Sequence, residues 1–123
     1  MALLAKRLGK ALINATAVDT ADTIVTNTSG VDTIITHIHL YNAHSVAVTV
    51  TLCQVDDSAG SVGTAASTDI FFVYSIPAGE SIILGSADCK IVLLDTNDTL
   101  QAYASEADKV NIFAYGFTMT DQE

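Results

Sequence analysis

From Val46 to Cys53 the residues alternate without a break. Val46, Val48, Val50 and Leu52 fall on one side of an extended chain, and Ala47, Thr49, Thr51 and Cys53 on the other. A period of two fits a pleated strand with one face on a core and does not fit a helix. Thr33–Asn42 alternates in the same way, with Ile34, Ile38 and Leu40 against Ile35, His37, His39 and Tyr41. The short polar link Asn42-Ala-His-Ser45 between the two predicts an antiparallel hairpin. Further strands are expected at Ile70–Ile76, Glu80–Leu84, Lys90–Leu94, Thr99–Ala104 and Val110–Thr118. Their turns are Pro77-Ala-Gly79, Asp95-Thr-Asn-Asp98 and Ser105-Glu-Ala-Asp108. Asp56–Asp69 is a longer polar loop of small residues, of the kind that is often functional. Short strands at regular spacing predict an all-β chain, an antiparallel β-sandwich of which a jelly roll is one form.

Two of these strands are apolar on both faces. Ile70-Phe-Phe-Val-Tyr74 sets Phe71 and Val73 opposite Ile70, Phe72 and Tyr74. Ile112-Phe-Ala-Tyr-Gly-Phe117 sets Phe113, Tyr115 and Phe117 opposite Ile112 and Ala114. A small sandwich normally wets one face of each sheet. A covering loop accounts for one such face. With half of all residues hydrophobic, burial between subunits is the stronger expectation, because monomers rarely expose large apolar patches. The same composition excludes a disordered chain. No apolar run approaches the ~20 residues of a membrane span, so no membrane partner is expected.

Charge is unevenly spread. Lys6, Arg7 and Lys10 all precede the first carboxylate, Asp19, and the remaining 105 residues hold two basic residues against all 14 acidic ones. The sequence therefore reads as a basic N-terminal arm, residues 1–18, on a single acidic sandwich domain, residues 19–123. The arm lacks the order of a signal peptide, because its basic residues follow Leu3 and Leu4 instead of preceding an apolar stretch. Leu4, Leu8 and Leu12 would stripe one side of a helix. An extended arm that pairs on assembly, or a plain terminal strand of the domain, fits the residues as well. A sequence pI near 4.3 argues against nucleic acid as a partner, since a polyanion repels the acidic body.

The residues able to carry chemistry have ordinary explanations. His37 and His39 share a strand face, with His44 in the turn. A zinc site needs three or four ligands in tetrahedral array, and nothing nearby completes one. The plainer reading places the imidazoles on an interface face. Asp95-Thr-Asn97-Asp98 resembles the start of a calcium loop but has Leu100 where that loop needs its glycine, and Asp and Asn are common turn residues. Asp56 and Asp57 are weaker still. Gly60-Ser-Val-Gly63 is too short for a phosphate loop and has no lysine after it. Cys53 and Cys89 read as free thiols and not as a disulfide framework. No nucleophile–base constellation stands out, so neither an enzyme, a metal nor a cofactor is expected.

An ordered set of phrases carries a family resemblance. Gly30-Val-Asp-Thr-Ile-Ile-Thr-His-Ile-His-Leu-Tyr-Asn42 is followed by Val46-Ala-Val-Thr-Val-Thr-Leu52. Then come Ile76-Pro-Ala-Gly-Glu-Ser81, Asp98-Thr-Leu-Gln-Ala-Tyr-Ala-Ser105 and Val110-Asn-Ile-Phe-Ala-Tyr-Gly116. Over about Thr23–Thr118 this order resembles small virion structural proteins of tailed bacteriophages, of the capsid decoration or cement type. The resemblance implies a protein on the outer surface of the head, assembled in the bacterial host cytoplasm. It implies a homotrimer whose partner is the major capsid protein. Under it, Phe71, Val73, Phe113, Tyr115 and Phe117 become subunit contacts. Lys6, Arg7 and Lys10, with Leu4 and Leu8, would lie across the capsid protein or a neighbouring trimer. The alternative is a tail or fibre component whose loops recognise a host glycan. The absence of any aromatic residue from Asp56–Asp69 counts against it.

Overall fold

The computed structural model describes residues 3–85 and 91–120. Its strands are β1 (Leu3–Ile13), β2 (Asp22–Thr26), β3 (Val31–Asn42), β4 (Val48–Val55), β5 (Ile70–Ile76), β6 (Ser81–Leu84), β7 (Ile91–Leu93), β8 (Thr99–Ala104) and β9 (Val110–Thr120). Every pairing among them is antiparallel. One sheet runs β1-β9-β3-β6, with β7 also on β3, and the other runs β2-β8-β4-β5. The two orders match position by position. β1 and β2 occupy one side, then β9 and β8, then β3 and β4, then β6 and β7 with β5. A long folded ribbon wrapped on itself gives this arrangement, the jelly roll.

The inner faces form one core. Ile13, Ile35, Ile38, Leu40, Leu52, Ile76, Leu93, Leu100 and Ile112 are fully buried there, with Val48, Val50 and Val110. Among the described residues no buried side-chain polar atom lacks a partner. Buried Asn42 shows how. Its Nδ2 donates to the carbonyls of Val46 at 3.0 Å and Ile76 at 2.9 Å, and its Oδ1 accepts from the backbone N–H of His44 at 2.8 Å. The side chain thereby holds the β3–β4 and β5–β6 corners together where backbone pairing stops.

The antiparallel sandwich matches the sequence expectation, and four details correct it. First, residues 3–13 are not an arm set apart from the domain. They form edge strand β1, paired with β9 from Leu3–Met119 to Ile13–Val110. Extension lets Ile13 enter the core and Leu8 and Ala11 pack against it, and it satisfies backbone groups of β9 that a helix would leave unpaired. Second, β3 and β4 are not a hairpin, because the Asn42–Ala47 link crosses between the sheets. The hairpin of this region is β4–β5, closed by the long loop. Third, Val46 lies before β4 and is exposed. Fourth, β3 carries a bulge between Ile35 and His37. The extra residue, Thr36, moves Ile35 to the buried face and leaves Ile34 outside with His37, His39 and Tyr41, because one inserted residue inverts the alternation on one side of it.

Candidate assembly surface

The outer face of the first sheet is covered by no other element among the described residues. Register places Phe113, Tyr115, Phe117 and Met119 of β9 on it, opposite His39, His37, Ile34 and Asp32 of β3. Tyr41, Ile83 and Val92 extend it toward one edge, and Leu12 lies toward the other. Ile83 is 58% exposed, Leu12 47% and Tyr41 43%. Neighbouring side chains half-bury the β9 aromatics. The result is a broad apolar sheet face with a cationic margin supplied by Arg7 and Lys10 of β1, which pair with Tyr115 and Phe113.

Two bulges shape the middle of this face. β1 is irregular between Arg7 and Gly9, and β3 between Ile35 and His37. Both irregularities flank Tyr115, so that Arg7, Tyr115 and His37 form one rung across three strands. The chain tolerates this because residue 116 is glycine. A Cβ there would run into the backbone carbonyl of Ile34. Around the rung lies an open depression of about 410 Å³, lined by Lys6, Arg7, Thr36, His37, Tyr115, Gly116 and Phe117. Thr36 Oγ1 lies 3.0 Å from His37 Nδ1, and the ring of His39 meets Tyr115 edge-on.

The second sheet is covered differently. Cys53 and Val55 on its outer side are buried beneath Ala65 of the long loop, with Val18, Ala21, Ile70 and Tyr103 packed around them. A covering loop thus explains part of this second apolar layer. Burial, and next the carboxylate of Asp69, push the Cys53 thiol up to about 11, which keeps it in the unreactive thiol form at neutral pH. Cys89 lies outside the described residues. Edge strand β5 remains open, with Phe71, Val73 and Tyr74 exposed.

The residues singled out in the sequence therefore fall on different surfaces. Phe113, Tyr115 and Phe117 share the first sheet with Lys6, Arg7 and Lys10. Phe71 and Val73 lie on the second sheet. Leu8 is half-buried and packs against the chain's own core at the β1 bulge. Leu4 pairs with Thr118 on β1, and its side chain lies outside the described ones. His44 sits in the β3–β4 corner, away from the strand face that His37 and His39 share. The rung itself was not expected. Gly9 and Gly116, isolated inside apolar strands, are the sequence signals that point to it.

Asp57, Asp95 and Asp98 bring carboxylate oxygens within 4.8 Å of one another. The two oxygens of Asp98 accept the backbone N–H groups of Asp57 at 2.9 Å and Asp95 at 3.1 Å. Asn97 Nδ2 donates to the Gly60 carbonyl and Asn27 Nδ2 to the Asp95 carbonyl. The cluster ties the β7–β8 turn to the long loop. Among the described residues, no helix is long and apolar enough to cross a membrane.

No family model matches the chain, and no curated protein matches it. Among solved structures it is similar to a chain from the work described as "Bacillus endospore appendages form a novel family of disulfide-linked pili". The two are 20% identical with a TM-score of 0.44, over 98% of this chain and 89% of that one. A likeness of that size carries no argument about activity.

Proposed function

We infer that this chain is a non-catalytic structural subunit that acts by burying its outer sheet surface against neighbours. Its setting, in this reading, is the outside of a tailed-bacteriophage head, where it serves as a decoration or cement protein on the major capsid protein. The observation that carries the reading is the uncovered outer face of the first sheet. Four strands about 4.8 Å apart, along a β3 of 12 residues at about 3.4 Å each, span about 19 by 40 Å. That is roughly 750 Å², close to the ~800 Å² each partner contributes to a stable interface. Burial at about 25 cal/mol per Å² of apolar surface, repeated over many copies, opposes shell rupture. The Arg7 and Lys10 margin suits an acidic partner surface. The ordered phrases from Thr23 to Thr118 support the phage setting.

Cryo-electron microscopy of the parent particle tests this reading. Density for the chain on the outer head shell, at three-fold or quasi-three-fold positions and seated on the face that bears Tyr115, is the expected result. Density confined to the tail or its fibres would move the protein to host recognition. Absence from the particle would overturn the structural reading altogether.

A further inference from the structure

Sheet edges with free backbone groups invite pairing with another chain, and proteins guard them with charges, bulges, prolines or brevity. Three of the edges in this sandwich are guarded. β1 carries Lys6, Arg7 and Lys10 and bulges at Leu8. It also closes against its neighbour, since a Cβ on Gly9 would strike the Ile24 backbone of β2. β2 has five residues, opens on Asp22 and bulges between Thr23 and Val25. β6 and β7 share one side of β3 as separate pieces of four and three residues.

β5 has none of these protections along most of its length. Its seven residues, Ile-Phe-Phe-Val-Tyr-Ser-Ile, include no charge and no proline. Its one irregularity is near its start, where Phe72 pairs with Leu52 and Ile70 with Cys53. From Phe72 to Ile76 the register is regular. Val73 is 57% exposed, Tyr74 42% and Phe71 40%. Among the described residues, no strand pairs with the side of β5 that faces away from β4.

We propose that β5 is an intermolecular pairing strand, which joins β5 of a second copy edge to edge, antiparallel about Val73. The proposal rests on the structural reading above and names one of its contacts. Two features favour a second copy as occupant. The strand is self-complementary, because a two-fold at Val73 sets Phe72 of each copy opposite Tyr74 of the other. Those two rings already stack within one chain at 6.1 Å, so the pairing builds a four-ring cluster across the joint. The strand is also uncharged in a chain of net charge −9, so two copies meet here without opposing carboxylates. The cationic edge β1 has no carboxylate to meet on β5. The product is a two-fold dimer in which two four-stranded sheets become one of eight strands.

The test uses the full chain. Sedimentation velocity over a concentration series measures the association, and hydrogen exchange reads the β5 amides in the free and associated forms. The expected result is a dimer in which the alternate amides of Phe72–Ile76 that point away from β4 gain protection. Val73→Lys should weaken it by about tenfold or more, because it sets two lysines opposite each other. The control Val62→Lys, in the long loop and outside both proposed contacts, should leave this dimer unchanged. Circular dichroism checks the fold of each variant, and the exchange measurement needs no variant at all. Association that persists in Val73→Lys, or β5 amides that exchange equally in both forms, overturns the proposal while the structural reading stands. A wild-type chain that stays monomeric throughout overturns it as well and leaves the structural reading to the particle map.

Discussion

The imidazole of His39 meets the ring of Tyr115 edge-on, with centroids 5.2 Å apart and planes at 60°. The two residues stand on β3 and β9 and reach each other diagonally, since the direct partner of Tyr115 is His37. Without the extra residue at Thr36, the alternation of β3 on one side of it would be inverted. The aromatic centre of the exposed face thus depends on a backbone irregularity that Gly116 permits.

Gly116→Ala tests that dependence. The added methyl meets the Ile34 carbonyl, which belongs to a paired strand and cannot rotate away. Overpacking of this kind costs about 1–3 kcal/mol. Urea unfolding should show the midpoint fall with little change in slope. An unchanged midpoint would mean that the bulge relaxes freely.

Ile83→Glu separates the fold from its proposed use. The side chain is 58% exposed, so stability should change by no more than about 0.5 kcal/mol. Attachment to the parent particle should weaken sharply, because a charge would be buried without a partner. Thermal melts and particle co-sedimentation read the two effects separately.

Asn42→Ala should be among the more costly single changes. It strips hydrogen bonds from the Ile76 and Val46 carbonyls and from the His44 amide at once. Leaving such groups unpaired costs about 1–3 kcal/mol each where water cannot reach them, so a loss on the order of 3 kcal/mol is expected in equilibrium unfolding.

Cys53 gives a pH prediction with a definite sign. Its thiol ionises near 9.0 in the unfolded chain and is raised to about 11 in the folded one, first by burial and then by Asp69. The unfolded state therefore releases its proton earlier as pH rises. The contribution to stability is complete below pH 9.0 and is lost as pH climbs toward about 11. In a Cys89→Ser background, a thiol reagent at pH 8 should label Cys53 only after denaturant is added. Rapid labelling of the native protein would contradict the burial.

Much of the fold is legible in the sequence because alternation reports burial directly. Ile70–Ile76 and Thr99–Ala104 coincide with β5 and β8, and Val48, Val50 and Leu52 do face the core. Which sheet each strand joins is not local information. The β3–β4 link reads as a hairpin because it is short, yet Asn42 turns it into a corner. β1 hides behind a leucine spacing that also suits a helix, and its pairing with β9 spans nearly the whole chain. β2 is short and begins on an acid, and it owes its place to β8. The candidate surface is half legible: Phe113, Tyr115 and Phe117 show themselves by parity, but the Arg7–Tyr115–His37 rung needs two bulges from strands far apart in sequence.

The proposed role requires the outer face of the first sheet to be buried in use. Hydroxyl-radical footprinting of the free chain and of the chain on its particle measures that burial residue by residue. Labelling of Tyr41, Ile83, Phe113 and Tyr115 should fall strongly on the particle, while Val62 in the long loop should stay reactive. Equal labelling of those four residues in both states would contradict it.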